Sequence, residues 1–236
     1  MYLINSRFLA NDDRVFLNWG YDEDPSMALP LSESDEPDRY SIQLYHRTAT
    51  QVDLAGKRVL EVSCGHGGGA SYLMRTQSPA SYTGLDLNSI GLDVCRKKHQ
   101  LPGLDFVHGS AEKLPFADQS FDAVINVEAS HCYPEFPRFL TEVARVLRPG
   151  GHFLYTDARK RQYIAEWERD LHDAPMQLVS ESVINEQVAR GIEKIYLSMF
   201  KPRRFRPSIN YRLWSHFHRR LLNNKISYRV YCFTKA

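Results

Sequence analysis

The residues with the clearest capacity for chemistry lie in one run, Val59-Leu60-Glu61-Val62-Ser63-Cys64-Gly65-His66-Gly67-Gly68-Gly69. Apolar β-formers lead into an acid, then a glycine-dense turn, then Ala70-Ser71-Tyr72-Leu73-Met74, which reads as a helix. Glycines let backbone approach a ligand closely, and a helix N-terminus offers unpaired N–H groups. This is the strand–turn–helix opening of a nucleotide-binding α/β domain. By itself the loop is ambiguous, because ordinary turns and dinucleotide dehydrogenases carry similar glycine clusters. A second acid, Asp86, follows 25 residues after Glu61 at the end of Ser81-Tyr82-Thr83-Gly84-Leu85. A carboxylate at the end of a second strand suits hydrogen bonds to ribose hydroxyls. Further along, Asn126, Glu128, His131, Tyr133 and Asp157 bring polar groups to the ends of two later strands. Among these, a histidine has a pKa suited to general-base work near neutrality.

Positioning these residues requires a parallel sheet. Leu104 to His108, Phe121 to Val127 and His152 to Thr156 read as a third, fourth and fifth strand. A helix closes over Val143 to Leu147, and Arg148-Pro149-Gly150-Gly151 makes a turn. Strands alternating with helices predict a doubly wound α/β sheet with helices on both faces.

The ordered set VLEVSCGHGGG, GLDLN, GSAEKLPF, FDAVINVEASH and LRPGG, across residues 57–157, resembles class I S-adenosylmethionine-dependent methyltransferases. A dehydrogenase would instead place G-x-G-x-x-G with the helix starting inside it. The likeness extends to Phe16–Tyr21, Leu44–Thr50, Glu128–Tyr133 and Ser227–Thr234. There the chain is similar to a mycobacterial group containing phthiotriol/phenolphthiotriol dimycocerosate methyltransferases and fatty-acid O-methyltransferases. It fades across 195–225, where Lys201-Pro202-Arg203-Arg204-Phe205-Arg206-Pro207 has no counterpart.

The resemblance implies a Rossmann-like seven-stranded sheet with an N-terminal cover and a helical lid. It also implies S-adenosyl-L-methionine as methyl donor and S-adenosyl-L-homocysteine as product. Glu61 would organise the methionyl ammonium, and backbone around Ser63, Gly65 and Gly67 would line the methionine and ribose. Asp86 would accept from the ribose diol, and Leu87 would cover an adenine face. Ser63 stands where the family's pattern has its first glycine. Ser110 stands where the family often has an aspartate for the adenine amino group, so Ala111 or Glu112 backbone N–H is the alternative contact. Asn126 would lie where the methyl group emerges, with Glu128, His131 and Tyr133 facing the acceptor. His131 is the expected base, as against packing or orienting the substrate, and Asp157 is the weaker alternative. Glu128, His131 and Asp157 have metal-ligand types, yet no metal is expected. His46, His66 and His108 are expected to be structural or solvated.

With 236 residues the chain suits one α/β domain with an appended lid. The expected divisions are a cover at 1–56, a cofactor-binding core at 57–157, a lid and substrate region at 158–225, and a C-terminal edge strand at 226–236. In the third of these, Ser180 to Val188 predicts a capped helix start, with apolar positions 184, 188, 192 and 195 on one face. Cysteines at 64, 95, 132 and 232 form no C-x-x-C pair, and Met1 to Ala10 lacks a signal-peptide design. These features point to a reducing, cytoplasmic setting.

Net charge is +2, but residues 1–38 hold nine acids against Arg7 and Arg14, and 201–236 hold ten Lys/Arg and no acid. Mutual packing or solvation of these segments is the plainer expectation, and peripheral contact with an anionic membrane surface is the second. No membrane span is expected. A nucleic-acid methyltransferase is disfavoured, because Val127-Glu128-Ala129-Ser130 replaces the D/N-P-P-Y/F motif of base N-methylating enzymes. A hydroxyl of a hydrophobic lipid or polyketide-type metabolite is the expected acceptor. A sugar or macrocycle is the alternative, and a non-catalytic cofactor-binding subunit is the non-enzymatic one.

Overall fold

A computed structural model describes residues 14–199 and 209–236. The expectations for Met1–Ala10 and Lys201–Pro207 lie outside the described residues. The chain folds as α1 (Arg39–Ala49), β1 (Arg58–Val62), α2 (Gly68–Gln77), β2 (Ser81–Asp86), α3 (Ser89–Lys98), β3 (Leu104–His108) and β4 (Phe121–Val127). There follow α4 (Phe136–Val146), β5 (Leu147–Lys160), α5 (Ile164–His172), β6 (Gln177–Val183), α6 (Asn185–Met199), α7 (Ile209–Leu222) and β7 (Ile226–Thr234).

The seven strands form one sheet in the order β3-β2-β1-β4-β5-β7-β6. β1 pairs in parallel with β2 and β4, and β7 pairs antiparallel with β5 and β6. Alternation along each strand builds two cores. Val59 of β1 and Ile125 of β4 join the core under α1 and α2, while Leu60, Val62 and Val124 join the other, filled by Phe139 and Val143 of α4. The same period puts Glu61 on the α1 side. Strand order reverses between β1 and β4, so their carboxyl ends open a crevice where open α/β sheets bind ligands.

Two expectations about the C-terminal third are corrected. β7 is not the edge strand: it lies between β5 and β6, and alternate residues such as Tyr228 and Tyr231 are buried on opposite faces. Residues 177–183, expected within a helical lid, form the edge strand β6, whose Gln-Leu-Val-Ser-Glu-Ser-Val run is almost wholly exposed. The helix expected from Ser180 therefore begins at Asn185. Its side chain accepts from Tyr228 N at 2.6 Å and donates to Ile226 O at 2.9 Å. Ile184, Val188 and Ile192 are buried as the pattern implied.

The N-terminal segment is a strap across the crevice. Gly68 N donates to Val15 O at 3.2 Å, Tyr21 N to Tyr40 O at 2.9 Å, and Asp22 N to Gln187 O at 3.0 Å. Trp19 stacks on Phe217 of α7 with ring centroids 4.4 Å apart. Gly191 of α6 makes the close approach possible, since a Cβ there would fall 2.3 Å from Tyr21 N.

Candidate active site

A cavity of about 330 Å³ opens at the carboxyl ends of β1, β2 and β4, beneath the strap. It collects Ser63, Gly65, Asp86, Leu87, Ser110, Ala111 and Glu112, all expected cofactor contacts, from the ends of three strands and the loops that follow them. Glu61, Gly67, Asn126 and His131 are not among its lining residues.

Asp86 ends β2 and is oriented by backbone. Its carboxylate accepts from Gly65 N and Asn88 N, each at 2.8 Å, which ties the glycine loop to the second strand. Each oxygen retains acceptor capacity for a hydroxyl of a ligand diol. Burial raises its pKa, and the backbone N–H groups of Asn88 and Gly65 counter that. Beside it, the Leu87 side chain is 59% exposed. An apolar surface open at the wall of a cavity that Ala111 also lines suits one face of a flat heterocycle. Ser110 Oγ is occupied locally, accepting from Glu112 N at 3.2 Å.

Ser63 adopts φ +62°, a left-handed conformation that glycine takes without strain. Its hydroxyl pairs with Tyr133 Oη at 2.6 Å, and Tyr133 also accepts from Asn126 Nδ2 at 2.9 Å. Asn126 therefore acts behind the wall: its amide also donates to Val62 O at 2.8 Å, while its Oδ1 is buried with no protein partner.

Glu61 is fully buried beneath the cavity. Tyr45 Oη donates to one oxygen at 2.9 Å and Tyr82 Oη to the other at 2.8 Å. Burial pushes its carboxyl up to about 7, with the two phenols pulling the other way. The lining group at this point is Tyr45, so Glu61 reaches the cavity only through a tyrosine. The local motif gave no sign of Tyr45, which lies on α1. Its ring needs Gly69, where a Cβ would fall 1.9 Å from Tyr45 Cε1.

His131 sits on a short 3₁₀ turn, Ser130–Cys132, with its side chain 48% exposed. Nδ1 lies 2.8 Å from Asp157 Oδ1. The buried Asp157 carboxylate raises the imidazole to about 11, against the opposing pull of burial. Asp157 is held low by His131 and Arg159 despite burial, and it also accepts from Ser130 Oγ at 2.6 Å. Asp157 thus occupies Nδ1 of His131 and favours the imidazolium form of the ring.

Glu128 lines the cavity at φ +50°. Both carboxylate oxygens lie 3.1 Å from Trp19 N, and Tyr228 Oη donates to one of them. Burial pushes this carboxyl up to about 7. Among the described residues, no three His, Cys, Asp or Glu side chains converge as a metal set. His46 bonds Tyr72 Oη and His108 bonds Leu87 O, in keeping with structural roles; His66 bonds Arg14 O but also lines the cavity. Leu17, Asn18, Asn88 and Cys132 are further lining residues that lie within the quoted motifs without an assigned role, and Val15 lies outside them.

Comparison with known proteins agrees with this geometry. A family profile described as "Methyltransferase domain" matches residues 60–155. The chain is 58% identical to the fatty-acid O-methyltransferase of Mycolicibacterium smegmatis, over 100% of this chain and 88% of that one. It is 57% identical to the phthiotriol/phenolphthiotriol dimycocerosates methyltransferase of Mycobacterium tuberculosis, over 99% and 90%. Two solved structures share the fold. The [4+2]-cyclase SpnF has TM-score 0.72 and 18% identity, covering 99% of this chain and 92% of that one. Geranyl diphosphate C-methyltransferase from Streptomyces coelicolor has TM-score 0.73 and 13% identity, covering 98% and 96%. At such identities these two likenesses show the fold alone.

The chain belongs to the class I S-adenosylmethionine-dependent methyltransferases, within the group formed by these mycobacterial relatives. The donor set fits that ligand: a backbone-oriented carboxylate for the ribose, open apolar faces for the adenine, and a glycine turn for the methionine.

Proposed function

We propose that the protein is an O-methyltransferase whose acceptor is a hydroxyl on a lipid or polyketide-type metabolite, working in the cytoplasm. The relatives named for fatty-acid and phthiotriol-type substrates match along the whole chain, including the strap and the β6–α7 region that would meet an acceptor. This full-length match is the observation that carries the reading. No helix among the described residues is long and apolar enough to cross a membrane.

When bound, S-adenosylmethionine supplies a methyl group already activated on a sulfonium. The chain must hold donor and acceptor in line and exclude water. Asp86 fixes the ribose, Leu87 and Ala111 hold the adenine, and the Ser63–Gly65 backbone follows the methionine. Val15, Leu17 and Asn18 close the cavity from above. A volume of about 330 Å³ is small for a cofactor and a long-chain acceptor together, so the strap moves to admit the acceptor.

Turnover with hydroxylated long-chain acceptors tests the reading. A methyl ether is the expected product. Product analysis that finds N- or C-methylation, or a methyl ester, overturns the acceptor class.

A further inference from the structure

Two non-glycine residues in the cavity wall adopt positive φ, Ser63 after β1 and Glu128 after β4. These two strands flank the point where strand order reverses. Left-handed backbone costs a non-glycine residue about 1–2 kcal/mol, and surrounding structure must hold it. Ser63 is held by Tyr133. Glu128 is held from two sides, by the strap through Trp19 N and by β7 through Tyr228 Oη. The left-handed backbone places Glu128 in the cavity wall between Val127 and Ala129, with its carboxylate against the strap.

We propose that Glu128, rather than His131, takes the proton from the acceptor hydroxyl; the inference rests on the O-methyl transfer reading above. In the transfer, the acceptor oxygen bonds the methyl carbon as the carbon–sulfur bond gives its electron pair to sulfur. The hydroxyl proton passes to the Glu128 carboxylate, leaving a neutral thioether, a methyl ether and a carboxylic acid.

Position and charge both support this assignment. Glu128 lines the cavity and His131 does not. His131 has its Nδ1 engaged by Asp157 at 2.8 Å, and that pairing favours the imidazolium. The ionisable groups facing Glu128 are Tyr228 from β7, Asp157 from β5, Tyr45 from α1 and His131 from the turn after β4. Asp157 favours the protonated form of Glu128, and His131, Tyr228 and Trp19 N favour the ionised one. With burial the largest influence, the carboxyl titrates at about 7, where a base can both hold and release a proton. His131 and Arg159 instead compensate the charge of Asp157.

The proposal also bears on substrate class. An ionised Glu128 accepts from a hydroxyl but repels a free carboxylate, which has no proton to lose.

The experiment compares Glu128→Gln, Glu128→Asp and His131→Gln with the native enzyme, reading kcat and KM against pH and calorimetric affinity for S-adenosyl-L-homocysteine. Glu128→Gln should lower kcat by about 10²–10⁴-fold and remove the rise in kcat near pH 7, a loss well beyond any change in product affinity from a weaker strap latch. Glu128→Asp should recover part of kcat, and His131→Gln should retain the inflection. Infrared titration of the ligand-free protein should show carboxylic-acid absorbance lost near pH 7 that is reduced in Glu128→Gln, the remainder belonging to Glu61. Native kcat or an unchanged inflection in Glu128→Gln, loss of the inflection in His131→Gln alone, or carboxyl absorbance that Glu128→Gln leaves unreduced overturns the proposal. Methyl-ester formation from a fatty acid, with Glu128→Gln fully active, overturns it while leaving a methyltransferase in place. Absence of native turnover on every hydroxylated acceptor instead removes the O-methyl reading, and this proposal with it.

Discussion

The main-chain nitrogen of Trp19 lies 3.1 Å from both carboxylate oxygens of Glu128, 109 residues further along the chain. The strap that covers the cavity is thereby latched to a charged group in the cavity wall. Asn18 Oδ1 accepts from Gly20 N at 2.9 Å and sets the turn that aims Trp19 N inward. Strap closure and the ionisation of Glu128 are thermodynamically linked, because two N–H···O contacts favour the carboxylate.

Gly191→Ala should weaken this latch. The added Cβ would press on Tyr21 N and Gly20 C. Hydrogen exchange across residues 15–22 should accelerate, and affinity for the cofactor product should fall about tenfold, roughly 1.4 kcal/mol. Unchanged protection in the variant would show that the strap tolerates the methyl group.

Asp86→Ala should weaken binding of S-adenosyl-L-homocysteine by about 1.5–3 kcal/mol, the scale for hydrogen bonds to a charged acceptor. The loop loses its Gly65 N anchor in the same change, so Asp86→Asn serves as the milder control. Calorimetry that finds native affinity in Asp86→Ala removes Asp86 from the ribose site.

Glu61 couples stability to pH. Burial raises its carboxyl from 4.5 to about 7 in the folded chain, so the folded state binds the proton more tightly than the unfolded state. Its stabilising contribution is complete below pH 4.5 and is lost as pH rises to about 7, on the order of 3 kcal/mol. Melting temperature should therefore fall between pH 5 and pH 8, with a shallower slope in Glu61→Gln. Equal slopes in the two proteins would assign the dependence to Glu128 and Asp86.

Ser63 permits a paired comparison. Ser63→Gly relieves left-handed backbone by about 1 kcal/mol and gives up a hydrogen bond to Tyr133 of similar worth, leaving stability nearly unchanged. Ser63→Ala keeps the strain and loses the bond, so it should be destabilised by about 1 kcal/mol. Chemical denaturation of both variants reads the difference.

Asp157 is the anion of a buried cluster. It pairs with His131 Nδ1 at 2.8 Å and with Arg159 at 3.2 Å, and the Arg159 side chain is only 12% exposed. Arg159 also lies 4.9 Å from the Trp167 ring centroid. Asp157→Ala leaves this guanidinium without its counter-ion and should cost about 3–5 kcal/mol. His131→Ala should cost less, because that side chain reaches solvent. A small loss in Asp157→Ala would mean that Trp167 and water suffice for Arg159.

The glycine loop, the acid ending β2 and the first five strands were legible because their signals are local. A run of β-formers, a glycine turn and an acid at fixed spacing need only neighbouring residues to specify a strand, a crossing loop and a ligand contact. Asp86, Leu87 and the loop backbone accordingly lie where their motifs implied. Tertiary structure decided everything that depends on partners distant in sequence. Tyr45 reaches Glu61 across 16 residues, Asp157 reaches His131 across 26, and Trp19 reaches Glu128 across 109. Periodicity carries no trace of such pairings. The surroundings of His131 and Glu128 were hidden for the same reason. An imidazole ordinarily titrates nearer neutrality than a carboxyl, but Asp157 lifts one and burial lifts the other. The strand order at the C-terminal end was likewise set by burial. Ile226–Thr234 can bury both of its faces and Gln177–Val183 cannot, so the last strand in sequence lies inside the sheet and the earlier one at its edge.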